Sequence, residues 1–132
     1  MPTELEMVLR LLLAAALGAA IGYQRERAGK PAGLRTHILI CIGAALFTVA
    51  SIYGFGIDAD PARLAAGIVA GIGFLGAGAI IRNREHVSGL TTAATIWAVA
   101  AIGLAAGAGL YIVSVATTAI VAIVLWLPHP IR

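Results

Sequence analysis

The chain has 132 residues, of which 61% are hydrophobic and 11% charged, with a formal net charge of +3. Soluble domains are roughly 45–50% apolar and 25% charged, so this composition excludes an ordinary soluble globular protein and predicts an all-α polytopic membrane protein. A single cysteine, Cys41, excludes an internal disulfide and a cysteine-based metal cage.

The first predicted span runs from Leu5 to Tyr23. Acidic residues precede it (Glu4, Glu6) and basic ones follow it (Arg25, Arg27, Lys30), the reverse of a signal peptide. Arg10 lies inside the span, four residues after Glu6. That spacing predicts an i, i+4 ion pair near the interface, with the arginine snorkelling outward; the alternative is an intramembrane charge facing a cavity. Gly18 and Gly22 form a G-x-x-x-G pair suited to close helix packing. The stretch QRERAGKPAG, Gln24 to Gly33, reads as a polar connection broken by Gly29, Pro31 and Gly33.

The second span is expected at 34–53, with Arg35, Thr36 and His37 at its start. A short acidic loop follows, and Asp60-Pro61 reads as an N-cap with proline at the first helical position. The third span, 62–82, is ARLAAGIVAGIGFLGAGAIIR. Its length gives about 30 Å of helix, the thickness of a bilayer core. Gly67, Gly71 and Gly78 give it a small-residue face, which predicts a central helix against which the others pack. Asn83 to His86 form a polar turn. The fourth span is expected at 89–106, with Thr91, Thr92 and Thr95 at its start. GLAAGAG, Gly103 to Gly109, breaks the apolar run; a four-span alternative to the five spans would merge or re-enter here. The fifth span is expected at 110–127, with Tyr111 and Trp126 as interfacial aromatics and Pro128 beyond its end. The whole of 1–132 then makes a single transmembrane domain, with no soluble C-terminal domain.

Charge sets the orientation. With the N-terminus outside and the C-terminus inside, Arg25, Arg27, Lys30, Arg35, Arg82, Arg84 and Arg132 fall inside, seven of the nine basic residues. That satisfies the positive-inside rule and accounts for the net charge without nucleic acid.

Two inner segments hold most of the polar chemistry, Gln24 to His37 and Arg82 to Thr95. They offer a candidate polar site of Arg25, Glu26, Arg35, Thr36, His37, Arg82, Asn83, Thr91 and Thr92. Three readings compete for it. The arginines face lipid phosphates and cytosol; or the cluster binds an anion or an acidic partner segment; or Glu26, His37, Glu85 and His86 bind a metal. The arginine excess argues against the third, so no metal and no cofactor is expected. Gly71-x-Gly73-x-x-Gly76 matches a phosphate-loop pattern only superficially, because no strand precedes it. No catalytic set is present, which predicts a non-enzymatic protein.

Four pieces carry a family resemblance: GAAIGYQRE (Gly18–Glu26), GLRTH (Gly33–His37), GIGFLGAGAIIR (Gly71–Arg82) and GLTTAATIW (Gly89–Trp97). In these, and in their order and spacing, the chain resembles the MgtC/SapB family of bacterial membrane proteins. The resemblance implies a five-span inner-membrane domain, linked in several members to growth in low magnesium and to virulence. It implies action on other membrane proteins rather than magnesium carriage, although the family was long labelled a magnesium transporter. Many members add a soluble domain after the last span; this sequence stops at Arg132. The expected partners are the lipid bilayer, a partner membrane protein and a second copy in a homodimer, the last resting on the glycine faces. The alternative function is a transporter or channel subunit for magnesium, potassium, protons or a small solute.

Overall fold

A computed structural model describes residues 2–56, 60–82 and 87–127. Asn83, Arg84, Glu85, His86 and Asp58 lie outside the described residues, and for Arg82 only the backbone is described.

The described residues form five helices: α1 (Glu4–Arg27), α2 (Leu34–Tyr53), α3 (Pro61–Gly78), α4 (Leu90–Gly107) and α5 (Tyr111–Trp126). Four of them are long and apolar enough to cross a bilayer, and α5 is a shorter apolar helix of 16 residues. This is a polytopic membrane protein.

Helix α1 starts at Thr3, whose hydroxyl accepts the Glu6 N–H at 3.1 Å. Its first turn carries Glu4 and Glu6 and its last turn Arg25 and Arg27, matching the helix dipole at both ends. It runs one turn beyond the expected Tyr23. Polar side chains at a membrane rim do not stop a helix. The stop comes at Gly29, which has φ +70°, and at Pro31. One carboxylate oxygen of Glu26 then accepts the Leu34 N–H at 3.1 Å, so the end of α1 caps the start of α2.

Helix α3 has the expected cap, with Asp60 accepting the Ala62 N–H at 3.0 Å and Pro61 following. It ends at Gly78, four residues short of the expected Arg82. Ile81–Arg82 (β1) instead pairs antiparallel with Val87–Ser88 (β2) in a two-residue ladder. Gly89, at φ +89°, closes this hairpin; a Cβ there would strike the carbonyl oxygen of Ala79.

The core is built by α1, α2 and α4. The buried face of α1 is a single stripe of Arg10, Ala14, Leu17, Gly18, Ile21, Gly22 and Arg25, the spacing of one helix face. It meets Ile40, Cys41, Ala44 and Ala45 of α2, and α4 adds Ile96, Val99, Ile102 and Ala106.

The central helix is therefore not α3, as the glycine count suggested, but α4, which contacts each of the other four helices. Close packing falls to other glycines. A Cβ at Gly18 would sit 2.7 Å from the His37 carbonyl oxygen, and one at Gly22 would sit 2.8 Å from the Leu34 Cα. On α4, a Cβ at Gly103 would strike the Cys41 carbonyl oxygen, and one at Gly107 would lie 2.5 Å from the Ala45 carbonyl oxygen. Two G-x-x-x-G pairs thus pack α2 against α1 and α4, which also touch each other. Among the described residues nothing lies within 4 Å of the Cβ position at Gly67, Gly71 or Gly78, so these glycines support no packing against them.

Candidate polar site at the inner end

Contacts between helix ends define two polar ends of the bundle. The inner end, so called from the charge rule, gathers the end of α1 with the starts of α2 and α4. Arg25 is 4% exposed, and its Nη2 donates to the hydroxyl of Thr92, itself buried in the first turn of α4. The Arg25 Nε is buried without a hydrogen-bond partner among the described residues. His37 is fully buried; its Nδ1 donates to the Gly33 carbonyl at 2.9 Å, while its Nε2 has no partner among the described residues. Gln24 donates to the Ala122 carbonyl at 3.1 Å and fastens α5 to the same end.

The remaining site residues form a separate, exposed layer. Glu26, Arg35 and Thr36 line a pocket of about 360 Å³ together with Gly33, Leu34 and Leu39. Thr91 is exposed, and its carbonyl accepts the Thr95 hydroxyl at 2.7 Å. The single cluster expected from sequence is thus two layers. Arg25, His37 and Thr92 lie in the core, and Glu26, Arg35 and Thr36 lie at the rim. Arg82 is placed on β1 by its backbone, and Asn83 lies outside the described residues. Among the described residues, no three His, Cys, Asp or Glu side chains come together as metal ligands.

The outer end holds a constellation that sequence reasoning reached only in part. The Glu6–Arg10 pair forms as expected, at 3.1 Å. Arg10 does not snorkel, however; it turns inward and is 6% exposed. Its Nε donates to the Tyr111 hydroxyl at 2.9 Å, and its Nη1 donates to the Tyr53 hydroxyl and the Gly107 carbonyl, each at 2.9 Å. The Tyr111 hydroxyl in turn donates to Glu6 at 2.7 Å. The guanidinium lies 5.4 Å from the ring centre of Tyr53 and 5.7 Å from that of Tyr111, within cation–π range. The available signal was a tyrosine at the outer end of α2 and another at the start of α5, both within reach of a charge that needs partners in lipid.

A close-packed bundle with glycine contacts and an arginine at each end of one helix face is the frame in which the comparisons with known proteins fall. The profile of the MgtC family matches residues 11–132. The chain belongs to the MgtC family. Among curated relatives, this MgtC-family chain is 50% identical over 113 residues to YhiD of Escherichia coli strain K12, a candidate magnesium transporter by name, covering 80% of the chain and 53% of that protein. It is 50% identical over 108 residues to protein MgtC of Brucella abortus strain 2308, covering 81% of the chain and 45% of that protein. It is 43% identical over 114 residues to protein SapB of Bacillus subtilis strain 168, covering 80% and 49%. The chain spans about half the length of these relatives. No solved structure matches it.

Proposed function

We propose that this MgtC-family chain is a non-enzymatic protein of the bacterial inner membrane that regulates other membrane proteins through lateral contact along α3. One observation carries this reading. Gly67 and Gly71 stand one turn apart with nothing near their Cβ positions, on a helix that buries only Ile68 and Gly76. Between helices in lipid, where little hydrophobic force remains, small residues that let backbones approach are a main source of association. The partner is another membrane protein or a second copy of this chain. Magnesium-limited growth and virulence enter through the family resemblance, and magnesium through the name of the Escherichia coli relative.

Replacing Gly67 and Gly71 with leucine tests the reading. Self-association and capture of partner membrane proteins, measured by energy transfer in vesicles, are expected to fall while the monomer keeps its stability. Unchanged association, with the growth phenotype intact, would remove α3 as the contact face.

A second reading, transport, is favoured by the buried Arg25 Nε and His37 Nε2, which find no hydrogen-bond partner among the described residues. Ionisable side chains inside membranes often mark ion or substrate pathways. Flux of magnesium, potassium and protons into sealed proteoliposomes decides between the two. Protein-dependent flux that Arg25→Gln abolishes would establish transport, and tight vesicles would leave regulation.

A further inference from the structure

The rim pocket is continuous with a second cavity that lies deeper. The deeper one, of about 780 Å³, lies between α2, α3 and α4, with Leu39, Ile40, Phe74, Leu75 and Ile96 among its walls. Thr36 and Leu39 line both, so the two form one groove. Its outer part is polar and its deeper part apolar. Arg35 is the second residue of α2, and Ile40 lies about 8 Å further along that helix, so the groove descends from the level of lipid headgroups into the acyl region. Phe74, on its α3 wall, is 81% exposed.

The charges at the mouth narrow the occupant. Glu26 and Arg35 line the same pocket, yet no salt bridge joins them within 4.0 Å among the described residues. One carboxylate oxygen of Glu26 is engaged by the Leu34 N–H, and the other accepts no hydrogen bond from the described residues. The Arg35 guanidinium donates none to them either. Two opposite charges that share a pocket without meeting suit a zwitterion placed between them.

We propose that this groove binds one phosphatidylethanolamine molecule of the inner leaflet, with its phosphate at Arg35 and Thr36, its ammonium at Glu26 and an acyl chain along Leu39, Ile40 and Phe74. The chemistry selects among headgroups. A primary ammonium donates hydrogen bonds to a carboxylate, as a lysine does, and charge-assisted bonds of this kind are the strong ones. The quaternary ammonium of phosphatidylcholine has no hydrogen to donate. Phosphatidylglycerol offers Glu26 no cation and brings its own negative charge beside it. The inference does not depend on the partner reading of α3, because lipid retention is measured on protein freed of partners.

The test is native mass spectrometry of the purified full chain with phosphatidylethanolamine, phosphatidylcholine and phosphatidylglycerol of matched acyl chains. The unaltered protein is expected to retain phosphatidylethanolamine about tenfold better than either competitor, the effect of one charge-assisted hydrogen bond. Glu26→Gln keeps an oxygen to cap α2 but removes the charge, and Arg35→Gln removes the phosphate contact; each is expected to flatten the preference. Leu39→Trp, which fills the joint between the cavities, is expected to lower retention of all three lipids. Equal retention of the three headgroups, a preference for phosphatidylglycerol, or protein that carries no lipid and leaves detergent as a dimer would each overturn the proposal. The headgroup series on unaltered protein decides the matter even if a variant fails to fold.

Discussion

Helices α3 and α4 are both 18 residues long, both apolar and both carriers of small residues, yet they are used in opposite ways. Nine residues of α4 are buried, including Gly103 and Gly107; on α3 only Ile68 and Gly76 are. Helix α4 is also fastened at both ends by arginines of one neighbour. Arg10 of α1 holds the Gly107 carbonyl, and Arg25 of α1 holds Thr92. Among the described residues the matching device on α3 is a single hydrogen bond, from the Ser51 hydroxyl to the Pro61 carbonyl at 3.0 Å. A glycine contributes close packing only where another backbone stands opposite it. Gly103 and Gly107 face the carbonyls of Cys41 and Ala45, whereas Gly67 and Gly71 face open space.

The largest expected effect tests that contrast directly. Gly103→Leu forces a side chain into the α2 backbone and should destabilise the bundle by more than ~4 kcal/mol, the range reserved for severe overpacking. Gly71→Leu should leave monomer stability within ~0.5 kcal/mol, as surface changes do. Reversible unfolding in bicelles measures both, and equal effects would erase the distinction between the helices.

Arg10→Met comes next. It strands the Tyr53 hydroxyl and the Gly107 carbonyl and leaves Tyr111 and Glu6 bonded only to each other, and should cost about 2–3 kcal/mol, the scale of buried polar groups left unsatisfied. The loss should appear as protease access at the outer ends of α4 and α5. Thr92→Val removes the one hydrogen-bond partner that the Arg25 side chain has among the described residues and should cost about 1 kcal/mol, within the range measured for interhelical hydrogen bonds in membranes. A far larger cost would mean that Thr92, rather than Gly103 and Gly107, fixes α4 in place.

Ser51→Ala should have the smallest effect, about 0.6 kcal/mol, the average for such a bond in a membrane bundle. Hydrogen exchange is expected to quicken in the first turns of α3 and nowhere else. A change that spread into α4 would show the two helices coupled more tightly than their contacts imply.

The elements were legible in the sequence because they depend on local chemistry. Hydropathy and the Gly29, Pro31, Gly54 and Gly109 punctuation mark the helices, and α2 occupies the expected 34–53. Asp60-Pro61 caps α3 as its chemistry requires. Which helix lies at the centre was not legible, since it depends on what stands opposite each glycine. Glycine number points to α3, whereas GLAAGAG, which reads in sequence as a break, carries the second packing pair. The site was half legible. Arg25 and Thr92 were expected to converge, and they do. Their separation from Arg35 in depth was not foreseen, although Arg25 lies three residues after Gly22 and seven after Gly18 and so shares their buried face. The ladder of β1 and β2 has only two pairs, too few for alternation to reveal it.

The position of Cys41 gives the protein a built-in reporter. It is the chain's one thiol and is fully buried. Its Cβ lies 2.8 Å from where a side chain at Gly18 would begin, and its carbonyl blocks Gly103. A small maleimide reaches that sulfur only when α2 parts from a neighbour, so labelling kinetics at this one atom measure the free energy of local opening. Anything that clamps or pries apart the three core helices, whether a lipid, a protein or a change in bilayer thickness, will register as a slower or faster rate without the introduction of any foreign probe site.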